Sequence, residues 1–265
     1  MSNDRNRFVA SVAGALELLE VFGELAGPAS LTALAAATGR PKSSVHRALA
    51  TLMAVGFVEQ DPDSSLYRLT LKMWRIGMSA LSDLDLVKVA RPYLEQLMVA
   101  ADETVHLSVL DPSGDIVYVA KVESARSIRV QTQLGKLNRS WSTATGRAII
   151  AFLPHVADSV LKGRLVPNTP HTVTDPAKIR TLLAEVARKG VAISKRENHP
   201  EMGGIAAPIR QHTGEVIASC GVAIPSFRMD RRLIERCTPL VIKTANAISE
   251  ELGALPDSRS RRHGS

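Results

Sequence analysis

The sequence predicts an α+β chain of two domains: a winged helix-turn-helix, a linker helix, and a larger domain in which helices flank an antiparallel sheet. Three observations predict it. At 265 residues the chain exceeds one ordinary domain of roughly 100–200 residues. Apolar spacing is helical through the first third of the chain, broken by a short strand-like pair near Gln60, and turns strand-like after Glu103. No Asp or Glu occurs between Leu25 and Val58, while Arg40, Lys42, His46 and Arg47 lie inside that window. The predicted boundaries are 1–71 for the first domain, 72–85 for the linker helix, 86–255 for the second domain and 256–265 for a disordered basic tail.

The first helix is predicted over Ser11 to Leu25, with Val12, Leu16, Leu19 and Phe22 as its apolar stripe and Leu18 and Val21 widening it. Gly27-Pro28 ends it. Ser30 is placed to cap a short helix, Leu31 to Thr38, that buries Leu31, Leu34 and Ala35 and stops at a left-handed Gly39. After that tight turn Pro41 begins a third helix, where its missing N–H costs nothing, and Gly56 ends it after Val55. At about 100° per residue, Val45, Leu49 and Leu52 share one side and Ser43, His46, Arg47 and Ala50 the other. A second helix with basic and hydroxyl residues on its free side is what a DNA major groove admits. Arg47 is the first candidate for a base contact. Lys42, Ser43 and Ser44 occupy the first turn, where free N–H groups suit a phosphate, with simple helix capping as the alternative for the two serines. Phe57 to Gln60, a turn at Asp61-Pro62-Asp63-Ser64, and Leu66 to Leu69 read as strand, turn, strand. This is a wing, and Arg68 on it is placed to touch backbone or minor groove, or simply to face water.

Composition sets the remaining bounds. With 45% hydrophobic and 22% charged residues the chain is ordinary for a globular protein, and no apolar stretch approaches the roughly 20 residues of a membrane span. MSNDRNRF is not followed by an apolar run with a small-residue cleavage site, so a cytoplasmic protein is expected. Cys220 and Cys237 fit neither a disulfide framework nor a metal spacing; both read as buried thiols, and no metal or cofactor is expected. A net charge of +7 favours polyanionic partners. Arg259, Arg261 and Arg262 fall in the tail and read as a solvated segment ahead of a second DNA contact.

The run SLTALAAATGRPKSSVHRALATLMAVGFVEQDPDSSLYRLT, residues 30–70, resembles the DNA-binding region of the IclR family of bacterial transcription regulators in register. That resemblance implies a DNA operator with palindromic or paired half-sites, a homodimer or dimer of dimers, and a linker helix that contributes to dimerisation.

Lys72 to Asp85 keeps helical spacing, and a further helix pattern runs from Leu86 through Met98 with Pro92 inside it, predicting a kink or a late start. Thr104 to Leu110 and Ile116 to Val122 form a hairpin about Asp111-Pro112-Ser113-Gly114. A third strand is expected at Ile128 to Gln133. Helices follow at Thr145–Leu153, Val156–Lys162 and Pro176–Lys189, strands at Val191–Lys195, Gly204–Arg210 and Val216–Ala223, and a last helix from Asp230 to Leu252. The family resemblance continues through ETVHLSVLDPSGDIVYVAKVES, WSTATGRAIIAFLP and GGIAAPIRQHTGEVIASCGVAIP, and implies a GAF-like domain that binds a small effector on one side of its sheet.

Trp141 to Arg147 precedes an apolar helix and offers hydroxyl and N–H groups at its start. By resemblance Ala144, Thr145 and Gly146 line the effector pocket, with Gly204, Gly221 and Ala223 on two facing strands; alternatively a threonine there only caps the helix and the glycines only relieve strand packing. His106 reads as a core or pocket histidine. Family members sensing small oxo-acids often carry an acidic stretch ahead of the Gly204 strand, where this chain has Lys195-Arg196-Glu197-Asn198-His199-Pro200-Glu201. The departure predicts a bulkier, less polar ligand, an aromatic or other organic carboxylate, with Trp141 and Met202 as walls.

Two other functions compete with a sequence-specific regulator of catabolic genes. An enzyme would draw on His106, Ser219 and Cys220, yet no nucleophile motif, metal-ligand cluster or phosphate loop accompanies them. A non-specific architectural DNA binder would spread its basic residues over the whole surface, whereas here they concentrate on one helix and the tail. Repressors and activators share all these features.

Overall fold

The computed structural model describes residues 9–25, 27–82 (backbone only from 77) and 86–254. The predicted tail and the last three residues of the predicted linker helix lie outside the described residues. The chain divides into two compact units, 1–84 and 85–265.

In the first unit, α1 (Ala10–Leu25), α2 (Leu31–Thr38) and α3 (Lys42–Ala54) precede β1 (Val58–Gln60), β2 (Tyr67–Leu69) and α4 (Leu71–Ser82). Leu18, Val21 and Phe22 of α1, Leu34 of α2, and Val45 and Leu49 of α3 form one core. The α1 stripe is rotated from the predicted one: Gly14 joins Leu18, Val21 and Phe22 inside, while Val12 and Leu16 are each 55% exposed. Two apolar stripes interleave on this helix, and packing on α2 and α3 selects between them. Gly14 is buried because the Arg40 guanidinium lies across it, only 2.8 Å from where a Cβ would stand.

Ser30 Oγ accepts from Ala33 N (3.2 Å) at the start of α2, and Gly39 closes it at φ 63°. Past α3, Gly56 turns at φ 75°, its N–H donating to Met53 O (2.9 Å) while Phe57 N donates to Leu52 O (2.8 Å). The wing is antiparallel, Glu59 facing Arg68, and its turn is held by Asp61, whose carboxylate accepts from Asp63 N and Ser64 N. Ala29 and Tyr67 exchange backbone hydrogen bonds, fastening the wing to the entry of α2.

The second unit runs α5 (Leu86–Ala101), β3 (Thr104–Leu110), β4 (Ile116–Val122), β5 (Leu137–Asn138), α6 (Ala144–Ile150), α7 (Pro154–Lys162), α8 (Pro176–Lys189), β6 (Ala192–Lys195), β7 (Met202–Arg210), β8 (Val216–Pro225) and α9 (Arg231–Glu251). All neighbours in the sheet are antiparallel, in the order β5-β4-β3-β8-β7-β6. Side-chain alternation divides its two faces. Val105, Leu107, Ile205, Cys220 and Ile224 join the core shared with α5 and α9. The residues between them, His106, Ala206, Gly221 and Ala223, take the face that α6 covers.

Two expectations change here. Pro92 sits inside an unbroken α5. Ile128–Gln133 is not a strand: side chains, rather than a neighbouring ladder, take up its backbone carbonyls, with Thr104 Oγ1 donating to Val130 O (3.5 Å) and Lys121 Nζ to Thr132 O (3.0 Å). The edge strand beside β4 is instead the two-residue β5.

Candidate nucleic-acid interface and ligand pocket

In α3, Val45, Leu49 and Leu52 are buried, and Lys42, Ser43, His46, Arg47 and Ala50 are exposed. Pro41 occupies the N-cap and makes no side-chain cap hydrogen bond, and neither serine hydroxyl caps the helix. Leu31, Lys42, Ser43, His46 and Arg47 border one open depression. Among the described residues no side chain pairs with Lys42, His46 or Arg47, which leaves a cationic face with its donors free. Such a face suits phosphates at the helix start and base edges one turn further on.

The remaining two basic candidates are engaged. Arg40 reaches back to Glu17 of α1, with Nη2 2.6 Å and Nε 2.8 Å from Oε2. Arg68 Nε lies 2.6 Å from Glu59 Oε1 across the wing. Lys72, which sequence reasoning passed over, donates to Val55 O (2.7 Å) and lies over the Phe57 ring, so it fastens α4 to the end of α3.

In the second unit a small cavity of about 40 Å³ lies between α6 and the sheet. Taking ~10–15 Å³ for each water-sized site, it has room for about three. Its floor is built of small residues in register. Gly221 faces His106 and Ala206, and Gly204 faces Ala223 and Ser194. The two glycines differ in role. A Cβ on Gly221 would come within 2.4 Å of Ile205 O, so backbone packing demands it, whereas one on Gly204 would sit 3.3 Å from Val222 O and 3.4 Å from Ala144 Cβ.

Of the predicted pocket residues, His106, Ala144, Thr145, Met202, Gly204, Gly221 and Ala223 line this cavity. Two do not. Trp141 packs instead with Ile150, Leu161 and Ile179 under α7 and α8, and Gly146 is pressed against Ser140, whose carbonyl oxygen would lie 2.3 Å from an added Cβ. Tyr118, Thr143, Ser194, Asn198 and His199 also line it, which makes the lining more polar than expected. Tyr118 and Ser194 carried a sequence signal, alternation on strands that flank His106 and Gly204. Asn198 did not, because it lies in the irregular segment before β7.

His106, 2% exposed, stacks on Tyr118 with ring centroids 4.4 Å apart, and its Nε2 meets Thr132 Oγ1 at 2.5 Å. Burial, and secondarily the nearby Lys121 charge, pushes its pKa down to about 3, so the ring is neutral. Burial also raises the Tyr118 phenol. The Tyr118 hydroxyl sits beside Thr145 Oγ1, which is buried without a well-formed hydrogen bond. Thr143 caps α6 by accepting from Gly146 N (3.1 Å). Beneath them Ser219 Oγ donates to Thr145 O (2.9 Å) and pairs with Ser108 Oγ (3.2 Å), tying α6 to the sheet.

The cover of the cavity is held by a buried ion pair. Arg147 on α6 meets Glu197 through two parallel contacts, Nη1 to Oε1 at 2.8 Å and Nη2 to Oε2 at 2.5 Å, and Nε donates to Trp141 O (2.7 Å). Sequence reasoning missed this pair. Cys220 lies on the opposite sheet face from His106, its thiol pushed up to about 12 by burial, so the two cannot act together as nucleophile and base.

Residues 11–62 match the IclR helix-turn-helix domain, and residues 78–250 match the bacterial transcriptional regulator IclR C-terminal family. The regulator KdgR of Escherichia coli K12 is 29% identical over 247 residues, covering 92% of this chain and 93% of its own. A transcriptional regulator structure from Silicibacter sp. TM1040 superposes with a TM-score of 0.78 at 29% identity, over 94% of this chain and 98% of that one. An IclR homologue from Microbacterium hydrocarbonoxydans, solved with 4-hydroxybenzoate, shares the fold at 24% identity and a TM-score of 0.79, over 92% of this chain and 99% of that one.

Proposed function

Because this chain belongs to the IclR family of bacterial transcriptional regulators, we propose that a small organic carboxylate, bound in the cavity under α6, sets its affinity for a DNA operator. The chain is a DNA-binding transcriptional regulator, and its relatives are regulators rather than enzymes. The effector reading is carried by one observation: a cavity between α6 and the sheet lined by Thr145, whose buried hydroxyl lacks a well-formed hydrogen bond, and by further polar side chains around it. Unsatisfied buried polar atoms call for a partner. That the same fold holds 4-hydroxybenzoate in the Microbacterium protein brings aromatic acids into the class, although a cavity of about 40 Å³ fits a smaller acid.

On the DNA side, Arg47 reads base edges while Lys42, Ser43 and Ser44 position the helix on phosphates, with His46 beside them. Arg40 and Arg68 act as supports rather than readers. The protein works in the cytoplasm as a homodimer or dimer of dimers on palindromic or paired half-sites, at genes of catabolism. No helix among the described residues is long and apolar enough to cross a membrane. An effector alters operator affinity only by binding the competent and incompetent arrangements unequally, with the linker helix as the lever.

Isothermal titration of the purified protein with a panel of aliphatic and aromatic acids tests the pocket, followed by operator titrations with and without each binder. The expected result is at least one acid that binds and shifts operator affinity. Absence of heat from the whole panel overturns the effector reading, and loss of all sequence preference against random DNA at fixed salt overturns the operator reading.

A further inference from the structure

We propose that Arg228 is a positioning residue that couples the cover of the cavity to the end of α5, so that a movement of the cover reaches the helix that continues the chain from the linker. The inference rests on reading the linker helix as the lever of DNA affinity, and names the residues that work it. Its basis is the turn 225–230 between β8 and α9, which is fastened on two sides. Toward the cavity the turn holds the segment 195–203, whose Asn198, His199 and Met202 belong to the lining. Ser226 N donates to Glu201 O (2.7 Å) and Lys195 Nζ to Met229 O (2.6 Å), while Met229 packs so closely on Gly203 that a Cβ there would overlap its sulfur.

Toward α5, Arg228 takes the Glu103 carboxylate in a fork, Nε 3.0 Å from Oε1 and Nη2 2.9 Å from Oε2, and its Nη1 donates to Ile128 O (3.0 Å). Glu103 is 1% exposed and lies between Ala101, where α5 ends, and Thr104, where β3 begins. Among the described residues, Arg228 alone hydrogen-bonds its carboxylate. A buried carboxylate that loses its guanidinium has no water to turn to, so the pair stays closed and its two ends move as one body. An exposed pair such as Arg91 and Glu95 would exchange its partner for water instead. Two further arginines hold the same end of α5: Arg236 of α9 donates to Ala101 O (2.9 Å), and Arg126 Nη2 lies 2.7 Å from Asp102 Oδ2. Backbone strain marks both ends of the route. Arg196 in the cover (φ 63°) and Asp102 after α5 (φ 56°) hold left-handed conformations that are uncommon outside glycine.

Fluorescence anisotropy with a duplex that the wild-type protein selects from a random pool tests this without any acid, so failure of the effector reading leaves the test standing. Two full-length variants avoid stranding a buried carboxylate: Glu103→Gln, and Glu103→Gln combined with Arg228→Met. Each is expected to shift affinity for the duplex at least fivefold, up or down, although neither residue belongs to the DNA-binding unit. Ile179→Ala, a core truncation in α8, controls for destabilisation and is expected to bind the duplex as wild type does. A shift below fivefold in either variant overturns the proposal. So does an equal shift in Ile179→Ala, which would make the effect one of stability alone.

Discussion

The exposed face of α3 and the cavity under α6 both present polar side chains, but they handle charge in opposite ways. On α3 the cations Lys42 and Arg47 stand in water without side-chain partners among the described residues, where keeping a charge costs little. Around the cavity Lys121 and Arg147 are paired with carboxylates, and the buried His106 ring is neutral. A surface that meets a polyanion keeps its donors free and borrows its countercharge from DNA. A closed pocket has to settle its charges internally before a ligand arrives, and what remains for recognition is hydrogen-bonding direction.

The contrast breaks most visibly at Glu197. Glu197→Ala leaves Arg147 buried without a counterion, and an expected loss of about 3–5 kcal/mol is measurable by urea denaturation; Arg147→Met combined with Glu197→Leu should restore most of it. Arg47→Ala carries no such stability cost, because its side chain is exposed and makes no hydrogen bond or ion pair among the described residues. It is expected to lower operator affinity by about 1–3 kcal/mol and to relax specificity at one base position, as read by fluorescence anisotropy on operator variants. An unchanged affinity would take Arg47 out of the reading role.

His106 sharpens the comparison through pH. Its folded pKa of about 3 lies below the ordinary 6.5, so between those values the unfolded chain binds more protons. Stability from this ring is therefore complete above about pH 6.5 and lost as pH falls toward 3, with a slope approaching about 1.4 kcal/mol per pH unit. His106→Gln should flatten that part of the acid limb in a series of denaturation curves. The smallest effects belong to Arg40→Ala and Arg68→Ala, whose guanidiniums already pair with Glu17 and Glu59. Operator binding is expected to change by less than about 1 kcal/mol in each, the range of exposed ion pairs; a loss equal to that of Arg47→Ala would make either one a reader.

The helix-turn-helix was legible because its signals are local. Ser30, Gly39, Pro41 and Gly56 act through backbone geometry within a few residues, and the division of α3 into Val45, Leu49 and Leu52 against Ser43, His46 and Arg47 follows from one helical period. The α1 stripe was less legible, since Val12 and Leu16 are as apolar as Leu18 and Val21, and only the position of Arg40 and of the partner helices chose between them. In the second unit the strands that make the pocket floor could be read from alternation. The segment at Ile128–Gln133 could not, because its β-favouring residues are held by side chains 11 to 26 residues away.

Sequence by itself determined the two-unit α+β order, the caps and turns of the first unit, the outward set of α3 and the family to which the chain belongs, because each of these depends on residue type at short or fixed spacing. Tertiary structure alone decided that Trp141 and Gly146 pack away from the cavity while Tyr118 and Ser194 join it, that Arg40 and Arg68 are paired, and that Arg147 meets Glu197. Those outcomes depend on which side chains meet across the sheet and across 50 residues of chain between Arg147 and Glu197, and no local period encodes such meetings.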